Sequence, residues 1–250
     1  MGYVIAMAGK GGTGKTTLAA LIVKIIKEKK LGSILAVDAD PNSNLAEALG
    51  VEHKETIGQI LDDISSDPQK IPTGMPKDRF IEYQVHTAIA EGEGFDVLTM
   101  GRPEGPGCYC YVNNALRNVV EKLIKDYDYI IIDNEAGLEH LSRRTTRSCD
   151  CLLVVSDASP VGLRAAKRIV DLAKELDIKT KKELLIINLY DRDIEQEKIK
   201  ALNLDFLGFI AQDRQIQKIS LNGNSLMGLQ DDAASLRVLR RIGDRIWQHN

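Results

Sequence analysis

The sequence predicts an α/β fold: a doubly wound, mostly parallel sheet with helices on both faces. Short apolar runs alternate with helical patterns along the whole chain, the signature of repeated βα units. Most of those runs are continuously apolar rather than alternating, as strands covered by helices on both faces must be. A glycine-rich turn over residues 9–17 joins the first run to the first helical pattern.

The first run, Tyr3 to Ala8, enters that turn, and a helical pattern over 15–30 leaves it. A second strand is expected at 33–38, followed by an acidic turn and a short helix at 43–49. Residues 65–107 are the least regular, with Pro68, Pro72, Pro76, Pro103 and Pro106, and read as surface connections around one or two short helices and a strand at 95–101. A helix at 112–126 precedes the strand 128–133. The remaining strands fall at 151–157, 184–189 and 206–211, with helices at 161–176, 194–202 and 232–248. No repeat, low-complexity tract or linker divides the chain, so one domain over 1–250 is expected.

The 250 residues suffice for a substantial core, and 44% hydrophobic and 28% charged content is ordinary. A net charge of −3 argues against a general nucleic-acid binder. No apolar stretch approaches the roughly 20 residues that span a bilayer. The first apolar run leads into a working motif rather than a cleavage site, and position 6 is Ala, so neither a signal peptide nor myristoylation is expected. The location expected is cytoplasmic, where four cysteines are reduced, metal-binding or buried.

Residues 9–17 read Gly-Lys-Gly-Gly-Thr-Gly-Lys-Thr-Thr, which fits G-x-x-x-x-G-K-[ST]. The glycines Gly11, Gly12 and Gly14, with Thr13, let backbone N–H groups turn toward an anion, and the helix beginning near Lys15, Thr16 and Thr17 adds partial positive charge. Lys15 can reach the outer phosphates of a nucleotide and the Thr16 hydroxyl can hold Mg²⁺. Asp38 and Asp40 follow the second strand at i and i+2, so one can hold a metal-bound water and the other orient an attacking water. Asp133 ends the apolar run Tyr129-Ile130-Ile131-Ile132 as a further Mg²⁺-side carboxylate. Gly137 in the loop beyond permits a backbone flip. Asn188-Leu189-Tyr190-Asp191 lacks the lysine of the guanine-reading Asn-Lys-x-Asp pattern, which favours ATP. Asp213 is either a nucleotide-edge contact or a turn aspartate.

Cys108 and Cys110 flank Tyr109 in a Gly/Pro-rich loop. Two thiolates do not close a soft-metal site, but two chains related by a two-fold axis supply four. The helix pattern just beyond would favour the thiolate form. Cys149 and Cys151 form a second Cys-x-Cys that opens a strand. Residues i and i+2 of a strand share a face, so a metal site is geometrically possible there, although buried structural thiols are the commoner role. His140 is either a ligand or a polar contact. The last helix carries Leu236, Leu239, Ile242 and Ile246 at helical spacing beside Arg237, Arg240, Arg241 and Arg245. That is either a membrane-binding face or a stripe docked on the domain; Asp231, Asp232 and Asp244 dilute its charge.

The loop with its early Lys10 resembles the deviant Walker A motif of the MinD, ParA and nitrogenase-iron-protein family. The resemblance implies that Lys10 reaches across a dimer interface to the partner's nucleotide. It also implies that Asp40 activates water, that Asp38 and Asp133 serve the metal side, and that Asn188 hydrogen-bonds adenine. The ordered set of that loop, Asp38-Ala39-Asp40-Pro41-Asn42, Gly-Cys-Tyr-Cys and Asp133-Asn134-Glu135-Ala136-Gly137-Leu138-Glu139-His140 resembles the CooC family. Its members are ATPase accessory proteins for nickel insertion into carbon monoxide dehydrogenase; the acetyl-CoA synthase maturation factors are close relatives. The resemblance covers essentially the whole chain. It implies a homodimer driven together by ATP, with Ni²⁺ or Zn²⁺ on Cys108 and Cys110 between subunits and one of those two enzymes as client. Nucleic-acid and membrane partners are not expected. Two other readings belong to the wider family: a positioning or partitioning ATPase, and an iron–sulfur redox ATPase, whose cluster cysteines lie in separate segments.

Overall fold

The computed structural model describes residues 2–40, 42–52, 54–67, 70–101, 121–135, 148–190, 196–200 and 202–248. Strands β1 (Tyr3–Ala8), β2 (Ile34–Ala39), β3 (Ala90–Gly92), β4 (Phe95–Thr99), β5 (Tyr129–Asn134), β6 (Ser148–Ser156), β7 (Lys179–Asn188) and β8 (Asp205–Ile210) form one sheet. Its order is β3-β4-β2-β5-β1-β6-β7-β8. Every pairing is parallel except β3 with β4. The helices are α1 (Lys15–Glu28), α2 (Leu45–Leu49), α3 (Ile57–Ser66), α4 (Lys77–Thr87), α5 (Pro160–Glu175), α6 (Gln196–Lys200), α7 (Arg214–Leu221), α8 (Ala234–Ile242) and α9 (Asp244–Trp247).

The continuous apolar runs are explained by two core layers, one on each face. Ile5, Met7, Ile131, Leu153 and Val155 face a layer built with α1, α2, α8 and α9. Val4, Ala6, Ile130, Ile132, Leu152 and Val154 face one built with α3, α4 and α5. Successive residues of each strand thus enter opposite layers. All six residues of β1, β2 and β5 are buried, and each large aliphatic among them contributes about 1.5–3 kcal/mol.

Strand β3, helices α3 and α7 and the closing helix depart from the expectation. The strand β3 is an added antiparallel edge: Gly92 pairs with Phe95 across the turn Glu93-Gly94, and Gly94 takes the left-handed φ of +82° that such a turn demands. Its three residues Ala-Glu-Gly carry no apolar run to read. Helix α3 is held by a capping box, in which Thr56 Oγ1 accepts from Gln59 N–H and Gln59 Oε1 accepts from Thr56 N–H. The expected closing helix 232–248 is two helices that meet at Gly243, where a Cβ would lie 1.8 Å from the Trp247 ring. Its apolar stripe is docked: Leu236, Leu239 and Ile246 are all fully buried in the core. No described helix is long and apolar enough to cross a membrane.

Candidate active site

The carboxyl ends of β1, β2 and β5 lie side by side at the centre of the sheet, and register assembles the site there. Asp38 pairs with Asp133 across β2 and β5, and Met7 pairs with Asp133 across β1 and β5. Asp38 and Asp133 hold the strand positions whose side chains point to the α1 layer. Thr16, in the first turn of α1, donates its hydroxyl to Asp133 Oδ2 at 2.6 Å.

The turn before α1 is held by its own groups. Thr13 Oγ1 donates to Lys10 O at 2.9 Å, and Lys15 Nζ to the same carbonyl at 3.3 Å. Gly14 takes φ +86°, and a Cβ there would lie 2.4 Å from Asn188 Nδ2, so this position excludes a side chain on both counts. Asn188 is 4% exposed and its Nδ2 donates to Thr13 O at 2.8 Å. Asn188 thus anchors the loop through one N–H, and its second N–H and its carbonyl oxygen remain for the expected base contact. Lys15 is buried; Lys10, Gly11 and Gly12 are exposed at the lip, and Thr17 is half-buried behind Thr16.

Asp38 is fully buried. Its Oδ1 accepts from Asp40 N–H at 3.1 Å and its Oδ2 from Leu45 N–H at 2.8 Å. Burial pushes its pKa up to about 7; the Leu45 N–H opposes this and the neighbouring Asp133 adds to it. Burial raises Asp133 to about 6 against the Thr16 hydroxyl and the Lys15 charge. The Oδ1 of Asp133 is buried with no hydrogen-bond partner. Two carboxylates held together in the core, one with an unpaired oxygen, beside a hydroxyl, fit a hard cation such as Mg²⁺. Among the described residues no cluster of three or more His, Cys, Asp or Glu side chains is placed to hold a metal ion. Mg²⁺ does not require one, because it keeps several waters and takes the rest of its ligands from substrate phosphates.

A cleft of about 450 Å³ opens here, lined by Gly11, Gly12, Gly14, Lys15, Thr16, Asp40, Asn42, Asn44 and Glu135. No motif marks Asn42, Asn44 or Glu135 as site residues. Asn42 ends the acidic segment Asp38 to Asn42, Asn44 lies two residues beyond it and Glu135 two residues beyond Asp133, so proximity to motifs is the available signal.

Asp213 belongs to a cap: its Oδ1 accepts from Gln215 N–H, and its Oδ2 from the N–H and hydroxyl of Ser235. The expectation of a shared face for Cys149 and Cys151 is corrected. Cys149 packs into one core layer and Cys151 into the other, where Asp150 between them turns its Oδ2 to the Val4 N–H at 2.8 Å. Burial pushes the Cys151 thiol up to about 12 and Cys149 higher still, so both are inert structural thiols. Pro41, Cys108, Cys110, Gly137, His140 and Asp191 lie outside the described residues.

A family model described as AAA domain matches residues 2–186. An uncharacterized ATP-binding protein of Methanocaldococcus jannaschii is 42% identical over 97% of this chain and 98% of its own length. The carbon monoxide dehydrogenase accessory protein CooC of Rhodospirillum rubrum is 28% identical over 96% of this chain and 97% of its own. The solved structure of the septum site-determining protein MinD with Mg-ADP from Pyrococcus horikoshii matches 99% of this chain and 97% of that one. Its TM-score is 0.72 at 23% identity, a likeness of fold.

Proposed function

The chain belongs to the AAA domain family, among ATP-binding P-loop ATPases of the MinD-like kind, and on that premise we propose that it is a metallochaperone that couples ATP hydrolysis to nickel delivery. Its client is a carbon monoxide dehydrogenase or acetyl-CoA synthase. The observation that supports a nucleotide-driven dimer is the contrast between the two lysines: Lys15 is buried beneath the loop while Lys10 stands exposed at its lip. A cleft with one lysine inside and one outside is suited to completion by a second chain.

In this reading Gly11 to Thr17 cradle the phosphates and Lys15 binds them within the chain. Lys10 reaches the nucleotide of the partner subunit. Thr16, Asp38 and Asp133 hold Mg²⁺, which when bound neutralises charge on the phosphates. Asp40, at the mouth of the cleft, orients the attacking water, and the Asn188 carbonyl oxygen meets adenine. Cys108 and Cys110 from two chains take Ni²⁺ or Zn²⁺ as cargo; the Cys-x-Cys in the sequence and the similarity to CooC support this part. The buried stripe of Leu236, Leu239 and Ile246 weighs against membrane positioning, and the acidic balance against polymerisation on DNA.

The test is the Asp40→Ala variant in the presence of Mg²⁺ and ATP, followed by sedimentation and phosphate release. The reading expects retained ATP binding, lost turnover and an accumulated dimer. A variant that stays monomeric with ATP, or that hydrolyses at the parental rate, contradicts it.

A further inference from the structure

The turn that carries Asp40 holds the carboxylate by one oxygen. Asn42 donates both its main-chain N–H and its side-chain Nδ2 to Asp40 Oδ1, each at 2.9 Å. The amide orientation follows from chemistry, since the reverse would set a carbonyl oxygen against a carboxylate. Ser43 N–H donates to Asp40 O at 3.0 Å and closes the same turn, although this places Ser43 at a left-handed φ of +53°. A serine there costs about 1 kcal/mol, so the surrounding bonds over-determine the conformation. Below, the Asp40 N–H is fixed to Asp38, and Asp38 to the start of α2. Asp40 and Asn42 both line the cleft.

We propose that Asn42 is a positioning residue for the hydrolytic step: by engaging Oδ1 it fixes the rotamer of Asp40 and leaves Oδ2 as the oxygen that meets the attacking water. The inference rests on the assignment of Asp40 above. The physical gain is orientational. A carboxylate hinged at an exposed turn samples several rotamers, of which one can align a water with a phosphate, and a misplacement of about 1 Å is costly to catalysis.

The test is steady-state ATPase kinetics on the full chain for Asn42→Ala, Asn42→Asp, Asp40→Asn and the Asp40→Asn/Asn42→Ala double variant. Asn42→Ala is expected to lower kcat about tenfold with KM for ATP changed by less than about twofold. Asn42→Asp, isosteric but repelling Asp40, should fall at least as far. In the Asp40→Asn background, Asn42→Ala should produce no further loss, because the group it positions is gone. If Asn42→Ala reduces kcat by the same factor in both backgrounds, Asn42 supports only the turn and the proposal is overturned. Parental kcat in Asn42→Ala beside an inactive Asp40→Asn overturns it while leaving the Asp40 assignment intact. An active Asp40→Asn removes the assignment itself.

Discussion

Lys10 and Lys15 lie five residues apart in one loop, yet the structure separates them by exposure, and their variants should separate by measurement. Lys15→Ala removes a buried positive charge beneath the loop and, in the proposed role, should weaken nucleotide binding to the monomer by at least tenfold. Lys10→Ala should leave monomer affinity within about twofold and depress ATP-dependent dimerisation and turnover. Titration calorimetry under monomeric conditions checks the first and sedimentation the second; equal loss of monomer affinity would reject a role for Lys10 in trans. Gly14 offers a sharper steric test. At φ +86° with Asn188 Nδ2 against it, Gly14→Ala should lose nucleotide binding and cost more than about 1 kcal/mol by chemical denaturation. These residues were legible in the sequence because the chemistry of a phosphate loop dictates residue type at fixed spacing. Asn42, Asn44 and Glu135 were not, because they become neighbours only when three loops meet over the sheet.

At the scale of elements, the continuous apolar runs fixed five of the parallel strands to within a residue or two, since only strands covered on both faces carry such runs. The strand β3 and the helices α3 and α7 are not among the elements the sequence predicts. Helix α7 fully buries none of its residues; only Ile216 and Ile219 are partly buried against the core, a short stripe. The two cysteines of β6 show how periodicity misleads: the i, i+2 rule predicts one face, but Cys149 packs into one core layer and Cys151 into the other. Asp213 links α7 to α8 through Gln215 and Ser235. Burial alone would raise its pKa; the bonds from Ser235 and Gln215 overcome this and hold it below the usual 3.8. A depressed folded pKa stabilises above the unfolded value, about 3.9, and is lost as pH falls through the lower folded one. Asp213→Ala should therefore cost about 1–2 kcal/mol at pH 7. The difference from the parent should shrink below pH 4 in urea titrations; a pH-independent difference would show that packing, not the charged cap, is responsible.

Over the whole molecule, the closing helices are part of the core rather than a detachable surface tail. Leu236, Leu239, Ile246 and Trp247 lie in the same layer as α1, and Arg240 ties that segment to Glu28 and Asp231 at 2.6 Å each. Leu239→Ala should cost about 2–5 kcal/mol in global stability, whereas a membrane-binding tail would tolerate it. With that end docked, the exposed lip of the nucleotide cleft is the face on which a second chain would complete the ATPase. Such closure would, in the proposed function, build a metal site from the Cys108 and Cys110 of two chains. Metal content per chain, measured by mass spectrometry after equilibration with Ni²⁺ or Zn²⁺, with and without Mg²⁺-ATP, tests it most directly. One ion per two chains is expected, bound more tightly with ATP. The ion should be lost in the Cys108→Ser/Cys110→Ser variant and kept in Cys149→Ser/Cys151→Ser. One ion per chain at saturation, or a site that survives loss of Cys108 and Cys110, would contradict it.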